Sequence, residues 1–177
     1  MNIKPTEISA DEFIKNLSFE YVELYSFQRG NSYLKKNEEM EREFDAISRR
    51  TELSETEKLR LEELDEKLNY VQYLISHKNE IHFSSIKTNT LIRSDPNFIN
   101  IIEAFKIKPI NIFDWMCAPT YRDAIIFYNE NKQIISCLNI CFSCEKMELQ
   151  RFKNVIADSR TYIILKDLFI KLGHKIE

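Results

Sequence analysis

Glycine is almost missing from this chain. Gly30 and Gly173 are the only two in 177 residues. Loops that cradle phosphates need several glycines close together, so that backbone N–H groups can approach the anion. Neither a P-loop nor a dinucleotide fingerprint can be written here, which argues against the common nucleotide enzymes. A basic excess is missing too. The 25 Lys and Arg stand against 28 Asp and Glu, a net charge of −3. No surplus of cations exists to neutralise a phosphate backbone, so no nucleic-acid partner is expected. Long apolar runs are also missing. Nothing approaches the roughly 20 residues of a membrane span, and the first 19 residues carry no signal-peptide core. These points predict a cytoplasmic protein that does not enter a membrane. Histidine is scarce and scattered, at His77, His82 and His174, and no serine sits in a G-x-S-x-G elbow. No nucleophile–base system is visible, so a non-enzymatic protein is favoured over an enzyme.

What is present fits one folded domain spanning residues 1–177. The hydrophobic share of 44% and aromatic share of 12% are ordinary for a globular chain of this length. Ser9-Ala10-Asp11-Glu12 reads as a capped helix start. Phe19–Phe27 reads as an aromatic strand, closed by a turn at Arg29-Gly30. From Tyr33 to Lys78 the composition shifts to Glu, Lys, Arg and Leu. Met40, Phe44 and Ile47 fall on one helical stripe, and Ser54-Glu55-Thr56-Glu57 restarts the pattern as a capping box. Leu61, Leu64, Leu68, Val71 and Ile75 then follow at coiled-coil spacing. This predicts an inserted antiparallel helical hairpin over residues 33–78. Ile81–Ile86 reads as a short strand, and Ser94-Asp95-Pro96 as a helix start with Pro in the first turn. The clearest β-hairpin joins Ala124–Tyr128 to Gln133–Phe142 through Asn129-Glu130-Asn131-Lys132. A last helix over Ser159–Leu172 carries Tyr162, Ile163, Leu165, Leu168 and Phe169 inward and ends at Gly173. The fold class expected is α+β, a small antiparallel sheet with helices packed mainly on one face.

Reactive side chains concentrate between Trp115 and Cys144. Cys141 and Cys144 form a C-x-x-C pair, but in a continuing strand residues three apart point to opposite faces, roughly 10 Å apart. Cys137 and Cys141 share a face, with Asn139 between them. Cys117 and His82 could complete a four-ligand zinc set with the C-x-x-C pair. The second pair of ligands that a structural zinc site usually shows is missing. Three readings of the cysteines stay open: buried packing thiols, a zinc site, or redox chemistry. In a reducing compartment free thiols or metal ligands are expected rather than disulfides. Arg122-Asp123 would either anchor an anion or form an ion pair tying a loop to the sheet. Asp114 reads as a loop carboxylate beside the aromatic anchor Trp115.

The stretch from Cys117 through Pro119, Arg122 and Ala124-Ile125-Ile126-Phe127-Tyr128, with Ile140-Cys141-Phe142-Ser143-Cys144, resembles a loose set of small uncharacterised bacterial proteins. These pair a C-x-x-P-R-x-A-I-x-F-Y strand with an I-C-F-x-C strand and finish on a helix ending in Gly, as Tyr162–Gly173 does. The likeness covers about half of the chain and brings no activity with it. Thr120-Tyr121, between Pro119 and Arg122, and the helical pair both depart from that pattern. Together the features favour a protein-binding module, an immunity or antitoxin-like protein that blocks a toxin or effector. The competing expectation is a thiol- or zinc-dependent protein using Cys117, Cys137, Cys141 and Cys144.

Overall fold

Ala124 to Phe127 has no polar residue on either side of its pleat, the pattern of a strand covered on both faces. In the computed structural model it lies mid-sheet, with Ala124, Ile125, Ile126 and Phe127 all inaccessible to solvent. The structure describes residues 6–113, 116–149 and 153–176. Asp114 and Trp115 fall outside the described residues.

The chain runs β1 (Thr6–Ser9), α1 (Ala10–Lys15), β2 (Tyr21–Ser26), α2 (Asn31–Ser48), α3 (Glu55–Asn69) and β3 (Ile86–Ile92). It continues through α4 (Pro96–Phe105), β4 (Asp123–Tyr128), β5 (Ile134–Cys141), β6 (Lys146–Glu148), β7 (Lys153–Ile156) and α5 (Ser159–Lys171). The fold is α+β. Its sheet is larger than expected and mixed: seven strands in the order β1-β7-β6-β5-β4-β2-β3. The parallel member is β1 against β7, pairing Thr6 with Lys153 through Ser9 with Ile156. β1, β6 and β7 have four residues or fewer, too short for a period-two pattern to announce them.

The two sheet faces bury different partners. Val22, Leu24, Ile125, Phe127, Leu138 and Ile140 face a core closed by α1, α4 and α5. The opposite face presents Tyr25, Phe27, Ala124, Ile126, Cys137 and Cys141, covered by Leu74 and Tyr121. Strand alternation predicts one core-facing row, Ile134, Leu138, Ile140 and Phe142, and Leu138 and Ile140 do lie in this core with Phe142 packed beside them. Ile134, expected in the same row, is instead 48% exposed. A bulge beside Tyr128 shifts the β4–β5 register there, so that Phe127 pairs with Ser136 and Tyr128 with Ile134. Ile163, expected inward, points to solvent from α5, while Tyr162, Leu165, Leu168 and Phe169 are buried.

Local caps behave as their chemistry dictates. Ser9 accepts the Glu12 amide, Ser54 and Glu57 complete the capping box, and Asp95 accepts the Asn97 amide ahead of Pro96. Met40 and Ile47 of α2 and Leu64 of α3 form their own cluster, flanked by Phe44, Leu61 and Leu68. Arg60 forks onto Glu43 at 2.8 and 2.7 Å, and Arg50 pairs with Glu57. The two pairs run in opposite senses along the two helices.

Helix α3 stops at Asn69, well before Lys78. Tyr70 is extended, and the Gln72 amide donates to the Glu66 and Tyr70 carbonyls. The stripe expected to continue through Val71 and Ile75 is broken, because Leu74 is needed elsewhere. It is fully buried against the second sheet face, and its amide donates to Asn139 Oδ1 at 2.8 Å. The segment expected as a strand, Ile81–Ile86, makes one isolated bridge, Ile75 to Ile81. The strand proper is β3, one stretch later, paired to β2 on one side only.

Candidate functional site

Asp123 opens β4 and is 1% exposed, yet its partner is not the adjacent Arg122. Arg29, from the turn after β2, donates to both Asp123 carboxylate oxygens at 2.8 Å. The same guanidinium reaches Ser26 Oγ and the Arg122 carbonyl at 2.8 and 2.7 Å. His174 approaches from the far end of the chain. Gly173 takes φ +95°, the Gly173 amide bonds the Ile170 carbonyl, and the His174 amide bonds the Phe169 carbonyl. This Schellman turn ends α5 and folds His174 back under the sheet. Its Nδ1 lies 2.7 Å from Asp123 Oδ1, and its Nε2 lies 2.7 Å from Thr88 Oγ1. A carboxylate only accepts, so Nδ1 carries the hydrogen.

Acid, imidazole and hydroxyl in series are the groups that elsewhere activate a nucleophile. Here the His174 side chain is inaccessible, and the Leu24 carbonyl, 3.1 Å from Thr88 Oγ1, competes for the single hydroxyl hydrogen. Neither the large groove described below nor the cleft between α4 and α5 reaches Thr88. The network ties the β2 turn, β3, β4 and the chain end together. Asp123 forms an ion pair that ties a loop to the sheet, with Arg29 as the cation.

All four cysteines reach the second sheet face. Cys117 and Cys144 are joined by a disulfide, with Cα atoms 6.3 Å apart. Free thiols or ligands were expected at both. The expectation that Cys141 and Cys144 must point apart assumed a continuing strand. The chain instead leaves β5 after Cys141 and turns through Glu145 at φ +47°. Cys137 and Cys141 are unbonded. Burial outweighs a backbone hydrogen bond from Ile75 and pushes the Cys137 thiol up to about 12. It is therefore protonated at neutral pH and a poor nucleophile. Among the described residues no three of His, Cys, Asp and Glu are grouped to hold a metal ion. His82 lies elsewhere, in the groove. An alkylation count on unreduced, denatured protein should find two reactive thiols, Cys137 and Cys141. Four would contradict the Cys117–Cys144 pairing.

Asn139 is the polar residue that organises this face. It is 1% exposed, accepts from the Leu74 amide, and donates to the Glu148 carbonyl at 3.1 Å. It thereby hangs the segment after α3 against the sheet. A single Asn within an apolar strand was the available signal, since a buried amide must find partners.

That segment forms one wall of a groove of about 920 Å³. Tyr33 and Met40 of α2 and Glu62 and Glu66 of α3 form the opposite wall, while Pro119 and Glu148 come from the sheet side. Aromatic rings line it. His82 stacks on Phe83 at 4.7 Å, Tyr33 lies 5.9 Å from Phe83, and Tyr73 is backed by the buried Tyr121 at 5.5 Å. The Tyr73 hydroxyl donates to Glu148. The Ser84 amide donates to His82 Nδ1 at 3.3 Å, which leaves the ring hydrogen on Nε2. Burial, with a smaller push from Lys67, brings His82 down to about 4.

The pH consequence of His82 has a definite sign. Between about 6.5, the ordinary histidine value, and about 4 the unfolded chain holds a proton here that the folded chain does not. The stability contributed by neutral His82 is present above that window and is lost as pH falls through it. Denaturation midpoints measured from pH 7 to 4 should drop more steeply for the wild type than for His82→Gln. Parallel curves would contradict this.

Comparison with protein-family models, with curated proteins and with solved structures returns no match to this chain. No described helix is long and apolar enough to cross a membrane.

Proposed function

We propose that this protein is a non-enzymatic binding module that grips and blocks a partner protein, in the manner of an immunity protein or antitoxin. The observation that carries this is the groove's apolar surface. Tyr70, Val71, Ile81 and Phe83 line it and are 51%, 39%, 48% and 55% exposed. Contiguous exposed apolar side chains rimmed by charge mark protein contact surfaces. The helical pair α2–α3 supplies one wall, which suits a recognition arm set beside a stable sheet.

Affinity capture from the native cell, with genomic neighbours as first candidates, tests the reading. Wild type should retain a discrete partner that Phe83→Glu loses. Turnover of a small molecule by purified protein that captures no partner would overturn it. Work in the cytoplasm belongs to the same proposal. The Cys117–Cys144 bond pulls against it, because reducing compartments keep thiols reduced. Cell fractionation combined with the thiol count decides that point.

A second reading is favoured by the gathering of all four cysteines on one sheet face. In it the Cys117–Cys144 bond is reduced and the four thiols hold zinc. Elemental analysis of untagged protein should then find stoichiometric zinc, lost together with stability when Cys141 and Cys144 become Ser.

A further inference from the structure

We infer that the groove receives an arginine-bearing segment of the partner protein. This rests on the protein-binding reading above and specifies the chemistry of its partner. The groove is acidic: Glu62, Asp65, Glu66, Glu80 and Glu148 all line it. The one lysine on its walls, Lys67, is held by Glu63 outside the lining. Glu66 already faces His77 at 3.2 Å, whereas Glu148 is met by the neutral Tyr73 hydroxyl. An anionic occupant would be repelled. A wholly apolar one would strip water from the carboxylates and return no hydrogen bonds.

The aromatic walls narrow the choice of cation. The Tyr33, His82 and Phe83 rings lie against one another, and Tyr73, backed by the buried Tyr121, bonds Glu148. A guanidinium satisfies both features at once, since its flat face lies on a ring while its edge forks onto a carboxylate. An ammonium is a hydrated point charge and uses the rings less well. At about 920 Å³ the groove exceeds a single side chain and accommodates a short stretch of chain.

The test uses labelled short peptides of alternating arginine and leucine on the full-length protein at physiological salt. Matched peptides carry lysine or citrulline in place of arginine. The arginine peptide should bind at least about tenfold more tightly than the citrulline peptide, and more tightly than the lysine peptide. Phe83→Ala and Glu148→Gln should each weaken it about tenfold, with Glu62→Gln as a second acid variant and Glu130→Gln, in the hairpin turn, leaving it unchanged. Equal binding of the arginine and citrulline peptides overturns the inference, as does indifference to both Phe83→Ala and the two groove acid variants. Lysine binding as well as arginine overturns the choice of guanidinium. A partner captured through Phe83 whose contacting segment has no arginine also overturns it, while the protein-binding reading stands.

Discussion

Asp123→Ala should cost about 3–5 kcal/mol, the largest single loss expected among the polar side chains. The carboxylate is the common acceptor for Arg29 and His174, whose side chains are 16% and 0% exposed. Removing it leaves a half-buried guanidinium without its counter-charge, held only by Ser26 Oγ and the Arg122 carbonyl, and a buried imidazole N–H with no acceptor. Water cannot reach His174 to replace it. Domains of this size hold only about 5–15 kcal/mol in total, so the variant should denature at far lower urea. Arg29→Ala should also destabilise, and the double variant should cost clearly less than the sum of the singles, because the two groups act as one unit. A loss under about 1 kcal/mol for Asp123→Ala, or strict additivity with Arg29→Ala, would show that the network is incidental.

Leu138→Ala should cost about 2–5 kcal/mol as a cavity in the main core, whereas Cys137→Ala, one residue away on the opposite face, should cost much less. Leu138 is fully buried beneath the helices, with Ile140 and Phe127 in the same cluster. Cys137 is half-buried, unbonded and at the margin of the second cluster. The contrast is a direct reading of strand geometry, since adjacent residues of β5 serve different cores. Equilibrium denaturation of the two variants checks it. A tolerated Leu138→Ala beside an unfolded Cys137→Ala would mean either that the faces are reversed or that the thiol holds something.

The parts legible in the sequence are those written in local chemistry. Ser54 and Glu57 announce a helix start because both capping partners lie three residues apart. Asn129 announces its turn because its side chain accepts from the amides of Asn131 and Gln133. Leu138 and Ile140 reveal their face by alternation. What stayed hidden depends on distant pairing. Asp123 stands beside Arg122 but bonds Arg29, 94 residues away in sequence, and no spacing rule links them. His174 looked isolated for the same reason, because only the turn at Gly173 brings it to Asp123. Val71 and Ile75 carry a helical spacing that tertiary demand overrides: the second face of β4 and β5 takes Leu74 as its apolar cover. The Cys117–Cys144 pairing runs against the reducing compartment expected from composition, and no spacing rule links two cysteines 27 residues apart. The groove had no local signature at all, since its walls come from α2, α3, the segment after α3 and the sheet.

The claim that this groove is a protein-contact surface is tested most directly by a photo-crosslinking amino acid at Phe83, introduced in the native cell. Phe83 is 55% exposed on the groove, and Ile163 is 58% exposed on α5 and serves as the control position. Irradiation should give one discrete protein adduct from position 83 and none from position 163. No adduct at position 83, or the same adducts from both positions, would contradict a binding site in the groove.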